Sequence, residues 1–144
     1  MRVEPFKPEH FLGLAGRANT SQMLTDAQCT VEYGELLASS SQAFTGFVDD
    51  KVMAIAGTLQ LWTGRLHLWA FLAIDSGPHM RSITRAVKKH LDGLRCVRLE
   101  AEVSEGFKAG HQWMRMLGFK LETPNGMDDF FPGNVRGYLY SKVQ

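Results

Sequence analysis

The stretch RLHLWAFLAIDSGPHMRSITRAVKKHLDG, Arg65 to Gly93, decides the architecture because its apolar period changes partway along. Leu66, Leu68 and Ala70 alternate with His67 and Trp69, and Phe71 to Ile74 are then apolar on both faces. A strand reads this way when it runs from a half-exposed position into the middle of a covered sheet. After Asp75-Ser76-Gly77-Pro78, the residues Met80, Ile83, Val87 and Leu91 recur at steps of three and four, which is one face of a helix. Pro78 suits its first turn and Gly93 its stop.

Outward from this junction the chain repeats the same change of period. CVRLEAEV alternates strictly, with Val97, Leu99, Ala101 and Val103 on one face and Arg98, Glu100 and Glu102 on the other, so it predicts a strand with one wet or functional face. GFKAGHQWMRMLG predicts an amphipathic helix burying Phe107, Gly110, Trp113, Met114 and Leu117, closed by Gly118 in the left-handed conformation. FKLET and VRGYLYSKV finish the chain as two strands around a loop that covers Thr123 to Asn134. Upstream, AFTGFV and KVMAIAGTLQLW form a hairpin over Asp49-Asp50, and Thr63-Gly64 turns into the strand that begins at Arg65. RVEPF is extended, Pro8-Glu9-His10 opens a short helix, and a second short helix runs over Thr30 to Ser39 despite Gly34. Arg17 to Met23 and Ser39 to Gln42 read as loose connections. The sum is α+β, or mixed α/β, with a central and mostly antiparallel sheet of about six or seven strands flanked by helices.

Composition narrows the function. At 144 residues the chain predicts a single domain over 1–144. A net charge of +1, from 16 basic and 15 acidic side chains, supplies no global field for nucleic acid or an anionic membrane, so any anion site is local. The longest wholly apolar run, Leu68 to Ile74, is roughly a third of a bilayer span, and MRVEPFKPEHF lacks the apolar core of a secretory signal. No membrane span is expected. Cys29 and Cys96 match no metal or redox spacing and read as reduced core thiols. His10, His67, His79, His90 and His111 form no metal-ligand pattern, so no metal is expected. No nucleophile elbow, zinc motif or P-loop is present.

Two places remain where chemistry could sit. The first turn of the helix after Pro78 leaves backbone amides without partners, and the helix dipole favours an anion there; Arg81, Arg85 and Lys88 add positive charge at i, i+4 and i+7 beside Lys89. The same charges are equally the solvated face of an ordinary helix. Glu100 and Glu102 share a strand face from which a carboxylate could take a proton from an amine, or simply face water. In NGMDDFFPGN two acids and two phenylalanines lie where periodicity does not dictate burial, which suits a substrate wall or a partner contact.

The order of elements, with GHQWMRMLGFKLE and its Leu117-Gly118-Phe119 triplet, resembles the GNAT N-acetyltransferases, best over residues 43 to 123. WAFLAIDSGPHMRSITRAVKKHLD is similar to a branch found in tailed phages, which includes the internal virion protein A type of short-tailed phages. The resemblance implies a GNAT-like domain that uses acetyl-CoA and an amine acceptor. Its pyrophosphate loop, Gln/Arg-x-x-Gly-x-Gly/Ala, falls on His79, Ser82 and Thr84, within a cofactor-binding set that also takes in Gly77, Met80, Arg81, Ile83 and Arg85. Backbone amides around Phe71, Leu72 and Ala73 would polarise the thioester carbonyl, with Glu100 or Glu102 as base. The family's usual acid, a tyrosine four residues before the Gly of the triplet, is Met114 here, which cannot donate a proton. The phage branch implies a phage or prophage source, with the host cytoplasm or the virion as location. It also implies a second reading: a non-catalytic protein of the same fold that binds a virion or host protein, without nucleic acid.

Overall fold

A computed structural model describes residues 1–18 and 30–144. Cys29 and the end of the loose segment from Arg17 to Met23 lie outside the described residues. The strands are β1 (Arg2–Pro5), β2 (Ser41–Val48), β3 (Lys51–Trp62), β4 (Arg65–Leu72), β5 (Arg98–Ser104), β6 (Lys120–Leu121), β7 (Met127–Phe131) and β8 (Val135–Val143). The helices are α1 (Val31–Ser40), α2 (Met80–Asp92) and α3 (Lys108–Met116), with 3-10 turns at Pro8–Leu14 and Gly77–His79.

They build one sheet in the order β1-β2-β3-β4-β5-β8-β6, with β7 paired to β8. Its eight strands exceed the expected six or seven. The additional strand is β7, inside the segment read as a loop; Gly133 and Asn134 take positive φ and let the chain double back on β8, while Asp129, also at positive φ, sits at an irregularity within β7. Every pairing is antiparallel except that of β4 with β5, which α2 joins as a crossover. The chain is therefore a mixed α+β fold with helices on both faces of an open sheet.

The turns follow from local chemistry. Asp49 and Asp50 both have positive φ, 50° and 61°, and close a two-residue hairpin in which Val48 faces Lys51. Gly118, at φ 88°, ends α3, and the amide of Phe119 then bonds the carbonyl of Met114 at 3.0 Å. Gly34 is buried in α1 because a Cβ there would lie 2.6 Å from the carbonyl oxygen of Pro8, so only glycine lets α1 rest on the 3-10 turn.

Alternation on β4 sorts the molecule into two layers. Leu68 and Leu72 look toward α2, and Trp69 and Phe71 look the other way, meeting Phe6 and Phe11 edge to face from the N-terminal turn. That N-terminal layer is fastened to the end of β4. Ala18 bridges Ala73, the Ile74 amide bonds the Arg17 carbonyl, and the Arg17 guanidinium bonds the carbonyls of Gly13 and Val52 and the carboxylate of Asp75.

Candidate functional site

The site follows from where β4 and β5 part. Their parallel pairing covers only Arg65 with Arg98, Leu66 with Leu99 and His67 with Glu100, although β4 continues to Leu72 and β5 to Ser104. β5 instead keeps its full length against β8, and β4 keeps its own against β3. Beyond His67 the two strands leave a cleft of about 190 Å³. Ala70, Phe71, Ala101 and Val103 border it, α3 closes one side with Trp113 and Met114, and Phe131 reaches it from β7.

Both candidate carboxylates stand on the face of β5 that looks away from α2 and α3, but their surroundings differ. Glu100 is 4% exposed, so this part of the strand is not a wet face. Its carboxylate accepts hydrogen bonds from Arg65 at 2.7 and 2.8 Å and from Arg98 at 2.6 Å, which hold its pKa below the ordinary value. Arg98 also donates to Glu122, whose pKa falls to about 2 through that pair and through the Ser141 hydroxyl. Both Glu100 oxygens are thus held by guanidinium groups, whereas the role of base expected of it needs an oxygen free to take a proton. Glu102 is hydrogen-bonded to His67 Nε2 across the mouth of the cleft. With Nε2–H donating to the carboxylate, Nδ1 is left as the basic atom.

His67 is the residue that sequence reasoning passed over. The available signal was its place on the non-apolar side of the alternating Leu66-to-Ala70 run, beside a strand carrying two glutamates. Trp113 was read only as a core residue, yet it borders the cleft and also a second cavity beneath α2. Its Nε1–H donates to Thr84 Oγ1 at 2.9 Å, spanning the space between α3 and α2.

The residues expected to hold a thioester cofactor divide into those that fit and those that do not. Gly77 is exposed and open, since a Cβ there would meet nothing within 4 Å, and Arg81, Ser82 and Arg85 are exposed along the first turns of α2 beside the partly buried His79 and Met80. That end is accessible, but its amides are largely taken, contrary to the expectation of unpartnered ones. The Ser76 N–H donates to the Ala73 carbonyl at 3.1 Å, the His79 N–H to the Ser76 carbonyl at 2.8 Å and the Met80 N–H to the Gly77 carbonyl, and Pro78 has none, so an anion there would rest on the side chains of Arg81, Ser82 and Arg85. Ile83 is 2% exposed and faces the sheet, so its side chain belongs to the core. Thr84 is occupied by the indole of Trp113.

The amides expected to polarise the carbonyl divide by ladder parity, with Phe71 and Ala73 turned toward β3 and Leu72 turned toward the cleft side. The Ala73 amide bonds the Met53 carbonyl at 2.9 Å, and the alternation of an antiparallel ladder turns the Phe71 amide toward β3 as well. The same alternation turns the amide of Ala70 toward the cleft. Met114, at the position where the resemblance implies an acid, is 4% exposed. Nearby, the Tyr140 hydroxyl donates to His111 Nδ1 at 2.8 Å, and His111 Nε2–H donates to the Ser104 carbonyl at 3.0 Å, so both groups are committed to the core. Among the described residues no group of His, Cys, Asp or Glu is arranged to hold a metal ion, and no helix is long and apolar enough to cross a membrane.

A single parallel pair that splays at the centre of an otherwise antiparallel sheet is the feature to compare with known structures. The ribosomal-protein-S18-alanine N-acetyltransferase from Escherichia coli matches with a TM-score of 0.76 at 14% identity, over 99% of this chain and 92% of that one. The fold is that of the GNAT acetyltransferases. The ribosomal-protein-alanine N-acetyltransferase from Brucella melitensis gives 0.73 at 13% identity over the whole of both chains. A GNAT-family acetyltransferase candidate from Desulfovibrio desulfuricans gives 0.72 at 15%, over 99% and 98%. No protein-family model matches the sequence, and no curated protein does. At these identities the likeness is one of fold.

Proposed function

We propose that this chain is an acyl-CoA-dependent N-acyltransferase whose reaction takes place in the β4–β5 cleft. The observation that carries the reading is the Glu102–His67 pair at the mouth of a cleft bordered by the last turns of two diverging parallel strands. Acetyl-CoA would supply an acyl group already activated as a thioester. The protein's part is then to orient an amine, accept its proton and stabilise charge on the acyl oxygen. His67 Nδ1 would accept the proton, with Glu102 stabilising the resulting imidazolium through Nε2–H. The Ala70 amide is the donor aimed at the acyl oxygen. The side chains of Arg81, Ser82 and Arg85 would meet the diphosphate beside the open Gly77 at the start of α2.

The proton taken from the amine must also reach the departing sulfur. Met114 cannot deliver it, so in this reading it returns from His67 or comes from water. A phage or prophage source, with the host cytoplasm or the virion as location, belongs to the same proposal and rests on the resemblance of residues 69–92.

One observation favours the second reading. The Trp113–Thr84 hydrogen bond fills the approach between α2 and α3, and a non-catalytic protein that keeps the fold to bind a virion or host protein has no need of that approach. Calorimetric titration with acetyl-CoA, followed by thiol release with a panel of primary amines, separates the two. Saturable binding, with amine-dependent release that is lost in Glu102→Gln, supports the transferase. Absence of binding in both the wild type and Trp113→Ala overturns it and leaves the binding role.

A further inference from the structure

We propose that the cavity beneath α2 is a binding site for a small, straight-chain apolar carboxylate, separate from the β4–β5 cleft. The cavity measures about 530 Å³, within the range of roughly 300–1,000 Å³ typical of small-molecule sites. It exists because both of its walls are built from small residues. The sheet presents Gly46, Ala54 and Ala56, and α2 presents Ala86 above them; the larger buried Ile83 and Leu91 seat the helix, and the short side chains leave the space between it and the strands unfilled.

Its shape and chemistry select the occupant. The remaining walls are chiefly hydrocarbon, from residues such as Phe44, Leu68, Leu72, Val87 and Leu94, and the charged or hydrogen-bonding side chains besides the indole are Gln42, Lys89 and His90. Lys89 and Gln42 are exposed, as are Met1 and Val3, so cation and amide stand where the cavity meets solvent. An apolar body inside with an anionic head beside Lys89 satisfies both parts; a wholly polar ligand would lose hydration along the walls with no return. The His90 ring forms part of the wall without presenting its Nε2 to the cavity. Its Nε2 is buried with no hydrogen-bond partner among the described residues, under an edge-to-face contact with Phe44. Such orphaned groups are rare in folded proteins. The inner end is closed by Trp113, anchored to Thr84, so a ligand enters from the Lys89 side and not through the cleft.

A volume of about 530 Å³ is ample for a chain on the order of ten carbons. Titration of the 144-residue chain with sodium decanoate, sodium acetate, decanol and decanoyl-CoA tests this. Decanoate should bind saturably at one site and acetate should not. Ala56→Phe, which fills the cavity, should weaken decanoate by at least about tenfold. Since that variant risks strain, Lys89→Glu provides a surface substitution: it should weaken decanoate several-fold and leave decanol unchanged. The proposal is overturned if decanoate does not bind, if binding survives both substitutions, or if decanoyl-CoA binds where decanoate does not. It is equally overturned if decanoate is inert and the protein is a dimer that Val3→Asp dissociates, which would make the apolar wall an interface between copies. Acetyl-CoA binding is independent of all these outcomes.

Discussion

Trp113 on α3 and Thr84 on α2 are joined by a 2.9 Å hydrogen bond that bridges the two helices flanking the β4–β5 cleft. The indole is 7% exposed and borders the cleft on one side and the cavity beneath α2 on the other. Whatever enters the cleft between these helices must displace it. Trp113→Ala should therefore raise the affinity for acetyl-CoA by about tenfold or more, while lowering stability by roughly 3–5 kcal/mol, the usual cost of truncating a buried tryptophan. Thr84→Val, which nearly keeps the volume and leaves the indole N–H without its acceptor, should cost about 1–3 kcal/mol. Paired calorimetry and thermal melts measure both. An unchanged affinity in Trp113→Ala would mean that the indole does not stand in the way.

The two glutamates of β5 should behave in opposite ways. Glu102→Gln and His67→Gln should each reduce amine acylation by about 10²–10⁴-fold with little change in melting temperature, as expected of a proton acceptor and its partner. Glu100→Gln should instead lower the melting temperature by about 4 °C or more, because it removes charge from between two guanidinium groups. Activity assays beside differential scanning fluorimetry separate the pair; a catalytic loss in Glu100→Gln without a loss of stability would reverse the assignment.

The acid limb of stability should report the Arg98–Glu122 pair. Glu122 has a folded pKa of about 2 against an ordinary 4.5. Its contribution is thus fully present above pH 4.5 and is lost as the pH falls toward 2. Glu100, also lowered, adds in the same direction. Burial lowers the pKa of His10 and His90 too, which starts an earlier and separate decline below about pH 6.5. Melting temperatures of wild type and Glu122→Gln should run parallel above pH 5 and converge between about pH 4.5 and 2. Parallel curves throughout would show that the pair contributes nothing on folding.

A glycine-to-alanine exchange inside a helix ordinarily gains about 1 kcal/mol. At Gly34 the sign should reverse, since the added Cβ would press on the backbone of Pro8, which cannot move aside as a flexible side chain would. Chemical denaturation of Gly34→Ala should give a lower midpoint with an unchanged slope. A higher midpoint would mean that the contact between α1 and the N-terminal turn relaxes freely.

Much of this fold can be read from periodicity. The change from steps of two to steps of three and four at Asp75 to Pro78, and again at Ser104 to Lys108, marks the order β4-α2-β5-α3, because one face of each element is buried and the other is not, although β4 stops at Leu72 and leaves Ile74, read as covered, 72% exposed. β7 escapes because its two-sided exposure leaves no alternation, and its pairing with β8 depends on backbone reversal at Gly133 and Asn134. The site is less legible. Glu100 and Glu102 are equivalent in pattern, and only the register of β4 against β5, with Arg65 beside Arg98 and His67 beside Glu100, decides which one meets a guanidinium and which an imidazole. The ladder parity that turns the Phe71 and Ala73 amides toward β3, and the reach of the Trp113 indole to α2, are likewise consequences of tertiary geometry without a counterpart in spacing.

The central claim is that the thioester end of a CoA ligand sits between the diverging halves of β4 and β5. Backbone amide NMR of the labelled protein, titrated with acetyl-CoA, tests it most directly. The account predicts progressive shifts at Ala70, Val103 and the Trp113 indole, with a second group at Gly77 to Ser82. Shifts confined to the start of α2, or none at all at saturating ligand, would contradict it.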